Sequence, residues 1–410
     1  MNWILTVFLV VAVIVAGCGA GPPSTSTSQP QTEETPIPST PTATPVTVTV
    51  TGGELPVDAT AVWLRTLRLK DLDPGEHEPP SVVVGDPVNG TQQFELFKDM
   101  YRPEHPDFRG DDLNFGERVG IGQTTLRVEW GQPVGGYAHG HVMIRPNGGS
   151  PHEVEATLVH EYAHHLQNVV IQDELLWRAV TEGGAVYVET KYAQKYLDGI
   201  DPAREVRHRY ENETDGGTML WVGLYYHGYR HFEQRIDSPA EISTVYDAPP
   251  ETFTQLLHGL PPENAQPGPL AVNVDATVTT ETVELGELVL QTVLRTELDG
   301  PPATSAATGW DADRLTMVAG HDLYVWTIRM ENGTHATELE AALGNYLDSK
   351  AARDGTSWTT ETTAYRVVRT TDETVTLILG DRVSVESMTV TVTGESVRIT
   401  LPPDAENQVG

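Results

Sequence analysis

An α+β protein with two folded parts is what this sequence predicts, and three observations carry that reading. Helical apolar spacing with clear start signals dominates residues 150–246, while short segments with strand character precede it and recur beyond residue 288. The folded stretch, about 360 residues, is too long for one ordinary domain. The expected parts are 51–265 and 266–402.

Residues 3–16, WILTVFLVVAVIVA, form an apolar run shorter than the roughly 20 residues of a membrane span, so 1–17 reads as a signal peptide. Val15-Ala16-Gly17-Cys18 resembles a lipobox, in which the cysteine is lipidated. Cys18 is the only cysteine, which excludes a disulfide framework and thiol catalysis in the folded part and leaves anchoring as its use. The Pro/Thr/Ser-rich stretch 18–50 reads as a tether, and 403–410 as a disordered tail. Asn89, Asn212 and Asn332 open N-glycan acceptor sequons.

The net charge is −32 on 410 residues, and lysine occurs only at Lys70, Lys98, Lys191, Lys195 and Lys350. Such a surface repels itself at low salt and is screened at molar salt, as expected of an exported protein of a halophile. It offers no basic stripe for phosphates, which argues against nucleic acid as a partner.

In the first part, DATAVWLRTLRLK reads as a helix and Ser81–Val84 as a strand. Residues 86–120 read mostly as loop, with a short helix near Phe94–Tyr101. Leu126–Trp130 and His141–Arg145 read as strands separated by GQPVGGYAHG. His139 and His141 are two apart and could face one side of a strand.

At Ser150 the signals sharpen. Ser150, Pro151 and Glu153 supply an N-cap, a first-turn proline and a capping box, and Val154, Leu158, Tyr162, Leu166 and Val169 form one apolar stripe, which predicts a helix to about residue 171. On it His160 and His164 are four apart, so both imidazoles share a face and can bind one metal ion. Glu161 lies about 100° further round, within reach of a water on that metal, where a general base belongs. His165 points elsewhere. A catalytic zinc usually takes three protein ligands. Glu182 is the expected third, because seventeen intervening residues after His164 suffice for a turn near Gln172 and a second helix running back. Gly183 and Gly184 lower helix propensity there by about 1 kcal/mol each, which points to close backbone approach beside the ligand.

HEYAHHLQ followed by LLWRAVTEGGAVYVE resembles the gluzincin group of zinc metallopeptidases. The resemblance implies a zincin-like fold, a small sheet with an active-site helix pair. It implies Zn2+ held by His160, His164 and Glu182, with Glu161 as catalytic base. Where some gluzincins carry an aspartate one turn after the ligand glutamate, this chain has Val186, so Glu189 is the expected support for a ligand histidine. The strand before the zinc helix, His141–Arg145, would be the edge that pairs with an extended peptide.

PAREVRHRYENE, TMLWVGLYYHGYRHFEQRI and SPAEISTVY read as further helices. Hydrolysis needs a donor for the developing oxyanion. Tyr225, Tyr226, His227, Tyr229 and His231 are the candidates, with Tyr226 and His227 favoured by their central position. YDAPPETFTQLLHG, GWDADRL and LYVWTIRMENGTHATELEAAL are similar to segments of exported, often lipid-anchored surface proteins of haloarchaea and some bacteria. In the second part, Leu288–Leu294, Leu323–Met330, Val375–Leu379 and Met388–Val392 read as strands and Ala336–Asp348 as a helix on a mostly antiparallel sheet.

These expectations combine into a cell-surface, lipid-anchored zinc metallopeptidase on the extracellular face of the membrane, with peptide or protein as substrate. The alternatives are a non-catalytic, metal-braced surface lipoprotein of a halophile, and a hydrolase of glycoconjugates. Spacing does not distinguish endo- from exo-action.

Overall fold

A computed structural model describes residues 46–101, 108, 114–275, 279–319, 322–393 and 396–400. The lipobox at Cys18, the signal peptide and the tail 403–410 lie outside the described residues. The fold begins earlier than the expected boundary at 51. Val48 is buried and its N–H donates to Thr60 Oγ1 at 3.1 Å, because the alternating TVTVT run enters a sheet instead of extending the tether. Among the described residues no helix is long and apolar enough to cross a membrane.

The first part is built on β1 (Val50–Thr51), helix α1 (Ala59–Leu69) and β2 (Ser81–Val84). A hairpin of β3 (Gly90–Phe94) and β4 (Thr124–Val128) flanks the short helices α2 (Leu96–Met100) and α3 (Phe115–Arg118), and β5 (Val134–Ala138) and β6 (His141–Arg145) follow. One sheet has the order β1-β2-β6-β5, parallel except for β5. The expected edge strand His141–Arg145 is therefore internal, and the edge beside the helices is β5, inside the segment read as a separator. Gly135 and Gly136 weaken the strand signal, while His139 and Gly140, both with positive φ, turn the chain between Ala138 and His141.

Helices α4 (Pro151–His165), α5 (Glu174–Tyr196), α6 (Pro202–Asn212) and α7 (Gly216–Arg235) form the second layer, with α8 (Ile242–Asp247) and α9 (Phe253–His258) against it. The capping box at Ser150 and Glu153 starts α4 as expected. The helix stops at His165, short of residue 171, because Gln167 turns back and donates its amide to Thr181 O at 2.6 Å and Tyr246 Oη at 3.1 Å. α5 runs antiparallel to α4, pairing Glu155 with Tyr192 and Gln167 with Thr181. α6 returns the chain so that α7 runs in the same sense as α5, with Arg178 over Trp221 and Tyr187 beside Phe232.

The second part is also α+β. β8 (Thr280–Val283), β9 (Trp310–Val318), β10 (Leu323–Met330), β11 (Ala352–Asp354), β12 (Ser357–Thr359), β13 (Ala364–Arg369) and β14 (Thr374–Gly380) form an antiparallel sheet of order β11-β12-β13-β14-β10-β9-β8. Helix α12 (Gly333–Lys350) packs on it. A smaller sheet joins β7 (Ala271–Asp275), β15 (Thr389–Thr393) and β16 (Ser396–Thr400). Residues 288–294, expected as a strand, are helical within α10 (Glu287–Arg295), which precedes α11 (Gly300–Ala307). The short apolar run fits either period. The outcome is set from afar by Asp313, which accepts the N–H groups of Leu285 at 2.8 Å and Gly286 at 2.9 Å at the helix entrance.

One hydrophobic core runs through both parts, from Trp63 under α4 to Leu377 and Leu379 of β14. Tyrosine hydroxyls tie the parts together: Tyr346 donates to Val119 O at 3.1 Å and Tyr365 to Arg118 O at 2.9 Å.

Candidate metal centre

The crossing of α4 and α5 brings His160, His164 and Glu182 together. His160 Nε2 lies 3.1 Å from His164 Nε2 and 3.4 Å from Glu182 Oε2, and His164 Nε2 lies 3.3 Å from the same oxygen. Zinc bonds of about 2.0–2.1 Å at tetrahedral angles put neighbouring donor atoms about 3.3–3.4 Å apart, so this triangle has the size a zinc ion requires. The three residues form a group that could hold a metal ion. The donor set, two imidazoles and one carboxylate, is one that divalent transition-metal ions take.

The opposite nitrogens are held as well. Glu189 Oε2 lies 3.0 Å from His160 Nδ1, the support expected in place of Val186, and Gln167 Oε1 lies 2.9 Å from His164 Nδ1. Each contact leaves Nε2 unprotonated toward the triad when Nδ1 carries the hydrogen. Substituting Glu189→Gln is expected to weaken zinc binding about 10- to 100-fold in competition with a chromophoric chelator. Unchanged affinity would remove Glu189 from the centre.

The charges favour a cation. Burial opposes protonation of His160, but the carboxylates of Glu182 and Glu189 outweigh it and raise its pKa to about 10. Burial also works against ionised Glu182, yet His164 and His160 hold it well below the usual carboxylate range.

Glu161 is fully buried, and neither carboxylate oxygen has a hydrogen-bond partner among the described residues. Burial drives its pKa well above the usual value, helped by Glu182 and Glu189 and opposed by His160. It lies against β5, where a Cβ on Gly135 would stand 2.5 Å from Glu161 Oε1. Only glycine leaves that space for the carboxylate. Gly135, in the segment read as a separator between strands, is thus part of the site.

Of the aromatic candidates on α7, the one at the centre is Tyr225. Its hydroxyl is beside Glu182; burial, and then that carboxylate, raise its pKa well above the usual value. Tyr226 and His227, favoured by sequence, turn away. Tyr226 stacks on Tyr210 and accepts from Arg230 Nη1 at 3.3 Å. His227 packs against Tyr210, and burial lowers its pKa to about 3. Central position on the helix favours Tyr226 and His227 among the five candidates, but the α5–α7 crossing turns Tyr225 to the centre. Tyr229 donates to Glu233 Oε1 at 2.7 Å, and His231 Nδ1 lies 3.3 Å from Leu256 O. His165 is structural, between Tyr137 Oη and Glu78 O. His139 sits in the β5–β6 turn, and His141 contacts Ser81 Oγ.

Behind His160 lies a cavity of about 50 Å³, lined by Glu189, Glu205, Arg209 and Tyr225 among others. Burial pushes Glu205 there up to about 9.

The described residues thus define an α+β protein with a buried His2Glu group. A family model described as "Domain of unknown function (DUF8575)" matches residues 276–403, which hold the seven-stranded sheet with its helices and strands β15 and β16 but neither β7 nor the triad. No curated protein and no solved structure matches the chain.

Proposed function

We propose that this chain is a zinc-dependent hydrolase of peptide bonds, carried on the extracellular face of a membrane by a lipid on Cys18. The observation that supports it most is the triangle of His160, His164 and Glu182 donor atoms, with the Glu161 carboxylate, which has no hydrogen-bond partner among the described residues, alongside. A zinc ion held by those three residues supplies a Lewis acid that acidifies water and polarises a carbonyl. Glu161 takes a proton on a carboxylate oxygen and returns it to the leaving amine. Tyr225 keeps its proton and donates it toward the oxygen on which charge develops. The outer edge of β5, unpaired with any strand among the described residues and with Gly135 against Glu161, receives an extended peptide by main-chain pairing. Glu189 and Gln167 keep the two imidazoles in one tautomer and orientation.

One observation favours a second reading, a metal-braced surface protein without catalysis. Glu161 is 0% exposed and Glu182 3%, so substrate needs a path to them. Hydrolysis of a mixed peptide library by the full chain in high salt separates the two. The hydrolase reading expects cleavage that a chelator abolishes and zinc restores. Stoichiometric zinc with no cleavage would establish the second reading.

A further inference from the structure

Arg178 stands one helical turn before Glu182, on the same face of α5. Its side chain is 10% exposed and its guanidinium lies over the Trp221 ring, 5.0 Å from the centroid. Trp221 in turn lies 5.7 Å from the Tyr225 ring. The Arg178 charge also acts on the Tyr225 hydroxyl, which is itself beside Glu182.

This guanidinium is poorly satisfied for a buried group. Its Nε has no hydrogen-bond partner among the described residues. Its one ion pair among them is with Glu174, at 3.9 Å, beyond hydrogen-bond distance and with the Glu174 side chain 56% exposed. A chain with 58 acidic residues has no shortage of carboxylates to place there. A buried arginine fork without a bidentate partner, next to a metal centre, is a receptor for an anion that arrives from outside.

We infer that Arg178 is a carboxylate-binding subsite of the metal centre, and that its substrates are peptides presenting a free carboxylate near the scissile bond. The reaction in that statement rests on the hydrolase proposal; the binding does not. The carboxylate has two sources, the C-terminal α-carboxylate or an aspartate or glutamate side chain. The first would make the enzyme an exopeptidase acting from the C-terminus.

The test is binding without turnover. The full chain carrying Glu161→Gln, loaded with zinc, is titrated calorimetrically with N-acetyl-Ala-Ala, with its C-terminal amide, and with N-acetyl-Ala-Asp amide. The free acid is expected to bind about 10- to 100-fold more tightly than the amide, the range of a charge-assisted bidentate pair. Adding Arg178→Gln should bring that ratio to about one, and Arg178→Lys, which keeps the charge and the stem but not the fork, should give an intermediate ratio. Zinc content should be unchanged in both variants. An aspartyl amide that binds as well as the acid assigns the subsite to an acidic side chain, and one that binds as poorly as the amide assigns it to the C-terminus. Equal binding of acid and amide, or a preference that survives Arg178→Gln, would overturn the inference. Absence of peptide hydrolysis by the wild-type chain would overturn the hydrolase proposal alone, since the acid preference is read from binding.

Discussion

Glu161→Gln is expected to lower peptide turnover about 10²- to 10⁴-fold while one zinc per chain is retained. Glutamine fills the same space against Gly135, so the helix crossing and the triad should persist, but its amide accepts no proton. The same substitution removes a buried carboxylate with no hydrogen-bond partner among the described residues. Keeping such a charge from water is costly, so the variant should also unfold at a temperature no lower than wild type. Turnover and thermal unfolding measured on one preparation distinguish a base from a structural residue. A variant that keeps its activity, or that loses zinc, would remove Glu161 from the role given to it.

The second large effect is expected where α5 and α7 touch. A Cβ at Gly228 would lie 1.9 Å from Ala179 O and 2.9 Å from Gly183 Cα, and a Cβ at Gly183 would lie 2.2 Å from Gly228 C. These neighbours are backbone atoms of the facing helix, so the contact can be relieved only by parting the helices. Helix propensity alone would make Gly228→Ala stabilising by about 1 kcal/mol. Overpacking of this kind typically costs about 1–3 kcal/mol, occasionally more, and clashes this short belong at the upper end, so a net loss of stability is expected. Because Glu182 precedes Gly183 directly, the displaced helix should also bind zinc more weakly. Chemical denaturation and zinc competition read the two consequences. A Gly228→Ala chain as stable as wild type with unchanged zinc affinity would show that the crossing does not set the ligand geometry.

Much of the site was legible because it is local. His160, Glu161 and His164 are fixed relative to each other by helix geometry, and Glu182 by the length of one turn and the antiparallel return of α5. Gly183 announced its close contact by its cost to the helix, although the partner, Gly228, could not be named. What sequence missed depends on elements far apart in the chain. Tyr225 was one of five aromatic or histidine positions, and only the rotation of α7 against α5 selects it over Tyr226 and His227. The edge strand was hidden because Gly135 and Gly136 lack strand propensity, and the reason for Gly135 is the Glu161 carboxylate, 26 residues on. Arg178 carried no signal, since an arginine on a helix is ordinarily solvated. In the second part, the strands at 323–330 and 374–380 followed from their buried, apolar runs, whereas α10 was misread because its entrance is organised by Asp313 from another strand.

The central claim is that His160, His164 and Glu182 bind one zinc ion and leave room for water. X-ray absorption at the zinc edge, on full-length chain loaded and then dialysed in high salt, tests it most directly. The expected result is one zinc per chain with nitrogen and oxygen neighbours at about 2.0–2.1 Å, two of them imidazoles, and no bound zinc when His160→Ala and His164→Ala are combined. A wild-type chain that retains no zinc, or a spectrum unchanged by the double substitution, would contradict the metal centre itself.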